Sequence, residues 1–174
     1  TTFSCLRDNL KLNGVDTVSA LNLGLSNKEG ELVFYTYPSQ SGASSMTHNV
    51  DSPDVCEVKC QLVRLDDYCA SSGASAGFIK CDVEGAELFV FQGAEKTLIR
   101  DCPVVFTEML RKWCAKHDYH PNDIIKFFDK LGYGCFVVDG IRISICETVT
   151  EETIQTNFLF LHRARHASLI SELE

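Results

Sequence analysis

The chain has 174 residues, of which 45% are hydrophobic and 23% are charged. That composition is typical of a soluble globular protein, and the length suits one domain better than two, so a single domain over residues 1–174 is predicted. The net charge of −8 argues against a nucleic-acid partner, because a phosphate backbone needs a basic face. No segment approaches the roughly 18 consecutive apolar residues of a membrane span, so no membrane partner is expected either.

Apolar periodicity and turn residues predict helices that alternate with strands along the chain. The predicted helices cover Phe3 to Leu12, Ala86 to Arg100, and a segment that begins at Pro121 and ends at Gly132. The predicted strands cover Thr17 to Leu25, Leu32 to Tyr37, Val55 to Leu65, Phe78 to Asp82, Val104 to Glu108, Cys135 to Val138 and Thr156 to Leu161. A polar loop from Pro38 to Pro53 is long enough to be a candidate flap over a substrate. This alternation predicts an α/β domain with a largely parallel sheet.

The cysteine pattern indicates reduced thiols. The chain has nine cysteines, an odd number, and several lie inside apolar strand or helix patterns. Cys81 and Cys135 are of this kind, so we expect small buried side chains there. This usage, and the absence of an Asn-x-Ser/Thr sequon, favours a cytoplasmic location. The segment Cys114-x2-His117-x2-His120 has metal-binding residue types, but its spacing does not put two ligands on one helix face, so no metal site is predicted.

The segment from Phe78 to Phe89 joins an apolar strand to a helix through acidic residues. Asp82 and Glu84 follow the strand directly, and Gly85 can adopt a backbone conformation that other residues avoid. Open α/β sheets bind their ligands at the carboxyl ends of strands, so both carboxylates are candidates for chemistry. The alternative is that they only complement the positive end of the following helix, each contributing about 0.3–1 kcal/mol.

Short motifs stand in a fixed order and spacing between Asn9 and Val138. The densest group is Ile79-Lys80-Cys81-Asp82-Val83-Glu84-Gly85-Ala86-Glu87, Gly93-Ala94, Pro103 and Glu108. Upstream lie Asn9-Leu10-Lys11-Leu12-Asn13-Gly14, Asn22-Leu23-Gly24-Leu25-Ser26-Asn27, Gly30-Glu31-Leu32-Val33-Phe34-Tyr35, Ser41-Gly42-Ala43-Ser44-Ser45 and Leu65-Asp66-Asp67-Tyr68. Together they resemble the FkbM family of S-adenosylmethionine-dependent methyltransferases, and the combination is specific although no single motif is. After Asp139, only Asn157-Phe158-Leu159-Phe160 is similar to the family's last strand.

The resemblance implies a Rossmann-like class I methyltransferase sheet with helices on both faces and strands ordered 3-2-1-4-5-7-6. It also implies a glycine-rich cofactor loop after the first strand and an acidic residue at the end of the second, and residues 1–174 contain neither. We therefore expect an N-terminally truncated fold whose first strand, first helix and second strand lie before Thr1. Such a gap would expose strand edges, so self-association through sheet edges is expected. Weak cofactor binding by the chain itself is also expected, because about half of the contacts would come from the missing elements.

The resemblance further implies S-adenosyl-L-methionine as the cofactor and a hydroxyl group on a sugar or another small molecule as the methyl acceptor. Since the donor is already activated, the enzyme has to align the acceptor oxygen and help to remove its proton. From the resemblance and their positions at strand ends, Asp82, Glu84 and Glu108 are the candidate catalytic residues. Asn22 and Ser26 bracket the end of the third strand, where adenine lies in this fold, so Asn22, Ser26 and Asp82 are the candidate cofactor-binding residues.

Two other functions stay open at this point: a catalytically inactive methyltransferase remnant, and a flavodoxin-like binding or receiver module. In a receiver, Asp82 would be the phosphoacceptor, accompanied by an acidic pair after the first strand and a lysine after the fifth. Lys112 is loosely placed for that lysine, but the acidic pair has no counterpart in the sequence. The continuation Glu84-Gly85-Ala86-Glu87 favours the methyltransferase.

Overall fold

The computed structural model of the protein describes residues 2–36 and 56–174. The loop predicted from Pro38 to Pro53, with its interpretation as a flap, lies outside the described residues. Helices and strands are both present, which confirms a mixed α/β fold. The chain groups into two compact units, residues 1–24 with 29–63 and residues 25–28 with 64–174. The single domain over residues 1–174 stays a prediction.

In the first unit, a helix precedes a small sheet. Its elements are α1 (Thr2–Leu12), β2 (Gly30–Thr36), β3 (Cys56–Val63) and the first residue of β1 (Gly24–Leu25), and the strand order is β1-β3-β2. Helix α1 ends where predicted, because the Asn13 side chain donates to the Asn9 carbonyl at 2.8 Å and Gly14 adopts a φ of 63°. Strands β2 and β3 pair antiparallel along the whole of β2.

The strand predicted from Thr17 to Leu25 is wrong for most of its length, because only its last two residues form a strand. The apolar side chains of Val18, Leu21 and Leu23 are 52%, 49% and 41% exposed. A strand exists only where a neighbour supplies hydrogen-bond partners. In the described chain, residues 17–23 pair with no other strand, so their β-forming side chains do not produce one.

The second unit contains a five-stranded sheet with helices along its connections. Its strands are β4 (Phe78–Cys81), β5 (Val104–Glu108), β6 (Tyr133–Asp139), β7 (Arg142–Ile145) and β8 (Asn157–His162). Its helices are α2 (Leu65–Ser72), α3 (Glu87–Gln92), α4 (Glu95–Asp101), α5 (Arg111–Cys114), α6 (Pro121–Lys130) and α7 (Ala167–Leu173), and a short 3-10 helix covers Ala115–His117. Helix α6 begins at Pro121 as predicted, and Gly132 follows its end with a φ of 84°. Elements α2, α5, β7 and α7 were not predicted.

The sheet order is β4-β5-β8-β6-β7. Strands β4 and β5 are parallel, whereas β8 is antiparallel to both of its neighbours and β7 is antiparallel to β6. The prediction of a largely parallel sheet is therefore wrong for this unit. At the β7 end of the sheet, the antiparallel pairing results from a short connection. The two-residue turn Gly140-Ile141 reverses the chain between β6 and β7, with Gly140 at a φ of 61°.

Aromatic side chains form the core of the second unit. Phe128 of α6 stacks on Phe160 of β8 with the ring centroids 4.2 Å apart, and its edge meets Phe91 of α3 at 4.8 Å. The thiols of Cys81 and Cys135 lie in the same cluster and are buried as predicted. This packing holds α3 and α6 against the sheet and fixes the loops that follow β4 and β5.

The helix predicted from Ala86 to Arg100 is divided into α3 and α4 by a break at Gly93. Gly93 lies so close to the Ser26 backbone that a Cβ atom there would be 2.0 Å from the Ser26 carbonyl oxygen. The N–H of Asp66 donates to the Gly93 carbonyl at 3.0 Å, and the buried Asp66 carboxylate accepts from the Thr97 N–H at 2.8 Å. Because these partners are distant in sequence, apolar spacing alone indicated one helix.

In the ranges that the structure describes, no helix is both long and apolar enough to cross a bilayer.

Candidate active site

The carboxyl ends of β4 and β5 bring acidic side chains to one edge of the sheet. These two strands are parallel and adjacent, and Cys81 at the end of β4 lies opposite Thr107. Asp82 is the next residue after β4, and Glu108 is the last residue of β5. Parallel pairing thus places the two carboxylates at the same end of neighbouring strands, which is the position where open sheets bind ligands.

The three candidate catalytic residues meet at this edge. One carboxylate oxygen from each of Asp82, Glu84 and Glu108 lies within 4.8 Å of the other two. We call these three residues the carboxylate cluster. Glu84 joins it through the turn after β4, while Glu108 joins it from β5, 24 positions further along the chain. The structure brings the three side chains together, and their roles as site residues stay a prediction.

Charge and burial act together on Glu108. Partial burial raises the pKa of this carboxyl above its ordinary value of 4.5, and the negative charges of Asp82, Glu84 and Glu87 raise it further. Lys80 acts in the opposite direction but more weakly. A carboxylate whose pKa is raised in this way binds a proton more readily than an ordinary glutamate.

Lys80 balances part of this negative charge. Its ammonium donates to an Asp82 oxygen at 2.8 Å, and both side chains are largely exposed. This hydrogen bond raises the pKa of Lys80, and the charge of Glu108 adds to the effect. The exposed ion pair contributes little to folding, but it fixes the orientation of the Asp82 carboxylate.

The turn between β4 and α3 has an unusual backbone. Glu84 has a φ of 54° and Gly85 a φ of 102°. A Cβ atom at Gly85 would lie 2.5 Å from the backbone oxygen of Trp113, so only glycine allows this turn to approach α5. The positive φ of Glu84, a non-glycine residue, is sparsely populated and is held here by the surrounding contacts. The turn directs the Glu84 carboxylate towards Asp82 and Glu108.

Glu87 is an anchor that sequence reasoning did not single out. Its side chain is almost completely buried, and one oxygen accepts from the N–H groups of Val83 and Gly85 at 3.0 and 3.2 Å. The hydroxyl of Tyr119 approaches the other oxygen at 3.3 Å and lies 2.8 Å from the Gly85 carbonyl. Burial raises the pKa of Tyr119, so the phenol stays protonated and able to donate. The available signal was the spacing of Glu87 from Asp82 within one motif, but the sequence could not tell which carboxylates are buried.

The two candidate cofactor-binding residues outside the carboxylate cluster lie in different units. Asn22 is exposed in the first unit, just before β1. Ser26 belongs to the second unit, where its backbone contacts Gly93 and its hydroxyl lies 3.5 Å from the Asn27 side-chain oxygen. The Ser26 backbone therefore has a packing role, and cofactor binding by either residue stays a prediction.

An open cavity of about 1090 Å³ lies beside α5 and α6. Arg111, Lys112 and His120 contribute to its lining, and the chain around Thr150 forms its other side. The Arg111 guanidinium donates to the Thr150 and Glu151 carbonyls, which ties α5 to that segment. Arg111 is only three residues after Glu108, so the connection that follows β5 leads from the carboxylate cluster to a polar cavity.

The carboxylate cluster also has the chemistry of a cation site. A hard divalent ion such as Mg²⁺ binds carboxylate oxygens, although exposed acidic groups are common without an ion. Among the described residues, this cluster is where His, Cys, Asp or Glu side chains converge closely enough to hold one ion. The side chains of Cys114, His117 and His120 do not converge in this way. The prediction of no metal site stays a prediction.

Comparison with known families identifies the class of this protein. The acidic groups lie at the carboxyl ends of β4 and β5, the edge at which open α/β sheets bind their ligands. The sequence model of the methyltransferase FkbM domain matches residues 2–135, which include all three residues of the carboxylate cluster. The protein belongs to the FkbM methyltransferase family. Neither a curated protein nor a solved structure gave a match to the chain.

Proposed function

We propose that this protein transfers the methyl group of S-adenosyl-L-methionine to a hydroxyl group on a sugar or another small molecule. The observation that carries the proposal is the carboxylate cluster at the ends of two adjacent parallel strands. Family membership supports methyl transfer, and the geometry of the cluster supports a hydroxyl as the acceptor, because removal of a hydroxyl proton needs a nearby base.

The residues of the carboxylate cluster suit this donor by charge. When bound, S-adenosyl-L-methionine supplies an activated methyl group on a positively charged sulfur. Asp82 stands next to Lys80 and provides a fixed negative charge that favours cationic groups nearby. Glu108, whose pKa is raised by burial and neighbouring carboxylates, accepts the proton that leaves the acceptor hydroxyl. Glu84 adds negative charge at the same point and strengthens the basicity of Glu108.

The order of the sheet supports a class I methyltransferase fold. Strands β4, β5, β8 and β6 are neighbours in that order, and β8 is antiparallel to both strands beside it. This arrangement corresponds to strands 4-5-7-6 of the fold that the family resemblance implies. The antiparallel β8 also disfavours a flavodoxin-like receiver, whose sheet is parallel throughout.

The cavity beside α5 supports a polar acceptor. Its lining includes Lys112 and His120, whose side chains carry hydrogen-bonding groups suited to hydroxyls, whereas the Asn122 amide is already bonded to the Val149 backbone. A cavity of about 1090 Å³ is large enough for a molecule the size of a sugar.

The test is methyl transfer from radiolabelled S-adenosyl-L-methionine to a panel of sugars and small hydroxylated molecules. It is run on the 174-residue chain and on the full product of its gene, each with its Asp82→Asn variant. We expect a loss of turnover of at least about 100-fold in Asp82→Asn with little change in melting temperature, because the substitution keeps the shape and removes the charge. If Asp82 only complements the helix end, stability falls by about 1 kcal/mol and turnover stays the same.

Asp139→Asn is a matched control, since Asp139 is an exposed carboxylate at the end of β6. If Asp139→Asn turns over as fast as the wild type, a loss of turnover in Asp82→Asn can be attributed to the carboxylate cluster. Cofactor binding without methyl transfer to any acceptor would favour the inactive remnant. Equal turnover of the wild type and Asp82→Asn would contradict the role proposed for the carboxylate cluster.

A further inference from the structure

Two cysteines lie directly opposite each other at the end of the β6–β7 hairpin. Strands β6 and β7 pair from Asp139 opposite Arg142 to Phe136 opposite Ile145. The next pair in this register is Cys135 with Cys146, and the Cys146 N–H donates to the Cys135 carbonyl at 2.8 Å. Residues directly opposite in antiparallel strands have Cα atoms about 4.5–5.5 Å apart. That spacing lies inside the range of about 4.4–6.8 Å that a disulfide requires.

The two side chains already interact. Both cysteines are free, and the Cys146 thiol donates to the Thr148 carbonyl at 3.6 Å. The neighbouring Cys135 thiol lowers the pKa of Cys146 to about 7, and the same interaction raises the pKa of Cys135. The contrast with Cys81 is large, because burial raises the pKa of that thiol to about 12. A lowered pKa makes the Cys146 thiol easier to ionise, and the thiolate is the reactive form of the side chain.

Cys146 is also accessible. It is partly exposed and contributes to the lining of an open cavity of about 420 Å³, together with Val137, Ile145, Glu147 and Thr148. Cys135 is buried in the core behind it and is packed in the same cluster as Phe128 and Phe160. A small oxidant can reach Cys146 from solvent, and Cys135 is the residue directly opposite it across the hairpin.

We propose that Cys135 and Cys146 form a reversible disulfide on reaction with a peroxide, which makes the end of the β6–β7 hairpin a redox-modification site. The Cys146 thiolate attacks one peroxide oxygen; an S–O bond forms, the O–O bond breaks, and hydroxide leaves. The Cys135 thiol then attacks the Cys146 sulfur; the S–S bond forms and the S–O bond breaks. The thiol proton and the departing hydroxyl leave as water. The hydroxide from the first step takes up the proton that Cys146 lost on ionisation, so overall two thiols are oxidised and one peroxide is reduced to two waters.

The sequence makes this reaction simple to map. Trypsin cleaves after Lys130, Arg142 and Arg163, so Cys135 and Cys146 fall in separate peptides, residues 131–142 and 143–163, each with a single cysteine. The full chain is treated with hydrogen peroxide at neutral pH, its free thiols are alkylated, and it is digested without reduction. We expect the two peptides to appear as one linked species, with a loss of two thiols per chain that dithiothreitol reverses.

Three variants define the step order. Cys146→Ser should abolish the linked species and leave Cys135 free to be alkylated. Cys135→Ser should also abolish it, but Cys146 should then accumulate as a sulfenic acid that dimedone traps. Cys5→Ser is the matched control, since Cys5 is an exposed cysteine on α1, and this variant should form the linked species as the wild type does.

The mapping on wild-type protein decides the question even if a variant folds poorly. Oxidation of Cys146 to a sulfinic acid while Cys135 stays alkylatable would overturn the proposal. A scrambled set of linked peptides, the same as the set formed in urea, would also overturn it, because it would mean that the native hairpin does not direct the pairing.

Discussion

Glu108 and Glu87 are two glutamates near the same turn with opposite surroundings. Glu87 is buried, but backbone N–H groups and a tyrosine hydroxyl hydrogen-bond to its oxygens. Glu108 is partly buried and faces the negative charges of Asp82 and Glu84. Hydrogen bonds hold a buried carboxylate in one position, whereas neighbouring negative charges disfavour the charged form of Glu108. The first glutamate is therefore suited to holding the turn, and the second to exchanging a proton.

The raised pKa of Glu108 predicts how stability depends on pH. The folded protein binds the Glu108 proton more tightly than the unfolded chain does. Stability therefore falls as pH rises from about 4.5, the pKa of an ordinary glutamate, through the higher pKa of Glu108 in the folded protein. Glu108→Gln is neutral at every pH and should raise the melting temperature at pH 7 by an amount equivalent to less than about 1 kcal/mol. The gain should vanish near about pH 3, where Glu108 is protonated in both states.

Thermal denaturation at the two pH values measures this effect. Glu147→Gln is the control, because Glu147 is exposed and lies outside the carboxylate cluster. A Glu108→Gln variant that melts below the wild type at pH 7 would contradict the sign of the pKa shift.

Among the elements, α4 depends on a carboxylate that lies 29 residues before its first residue. Asp66 of α2 accepts hydrogen bonds from the Lys96 N–H at 3.2 Å and from the N–H and hydroxyl of Thr97 at 2.8 and 2.9 Å. The first turn of a helix has N–H groups without intrahelical partners, and the nearby residues of α4 supply no side-chain cap. Asp66 thus stabilises the start of α4 and joins it to α2.

Asp66→Ala should therefore destabilise the protein strongly. The substitution leaves buried N–H groups and a hydroxyl unpaired, and we expect a loss of about 3 kcal/mol or more in the free energy of unfolding. Asp67→Ala is the control, because Asp67 is adjacent but only partly buried, with 46% of its side chain exposed and Arg64 3.8 Å away, and should change stability by less than about 0.5 kcal/mol. Urea denaturation compares the two variants, and equal losses would rule out the capping role.

The turn between β4 and α3 gives a second prediction for an element. Gly85→Ala places a Cβ atom 2.5 Å from the Trp113 backbone oxygen and also strains a φ of 102°. We expect a loss of about 3 kcal/mol or more in the free energy of unfolding, or displacement of α5 away from the turn. Gly73→Ala separates the two causes, because Gly73 has a φ of 72° with open space around it, and should lose only about 1–2 kcal/mol. If urea denaturation gives the same loss for both, close approach to Trp113 is not what selects glycine at position 85.

At the scale of the whole molecule, β4 is the first strand of the five-stranded sheet and pairs with β5 along one side only, within the described chain. Phe78 at the start of β4 is 61% exposed. Unpaired strand edges with exposed apolar residues tend to pair with another chain, so we propose self-association through this edge.

Sedimentation velocity over a range of concentrations measures this association. Phe78→Lys should shift the protein towards monomer, because a lysine on an edge strand disfavours pairing. Ile99→Lys is the control, since Ile99 is a similarly exposed residue, 58%, on helix α4 and away from the edge. A wild type that stays monomeric at all concentrations, or equal effects of the two variants, would contradict edge pairing.

The sequence by itself determined the order of most elements and the position of the site. Helices α1 and α6 and strands β2, β3, β4, β5, β6 and β8 follow from local periodicity and from residues such as Pro121 and Gly132. The motif around Asp82 gave the family, because it combines residue identities with their spacing. These features depend on interactions between residues that are close in the chain, which a sequence pattern records directly.

Only the tertiary structure decided which residues are partners across long separations. It divided the helix at Gly93 by packing Ser26 against it, and it left residues 17–23 without a strand partner. It buried Glu87, brought Glu108 to Asp82, and placed Cys135 opposite Cys146. Burial and the proximity of distant charges are properties of the folded chain, and both determine which carboxylates and thiols are reactive. The residue types were readable in the sequence, but their chemistry is set by neighbours that the fold supplies.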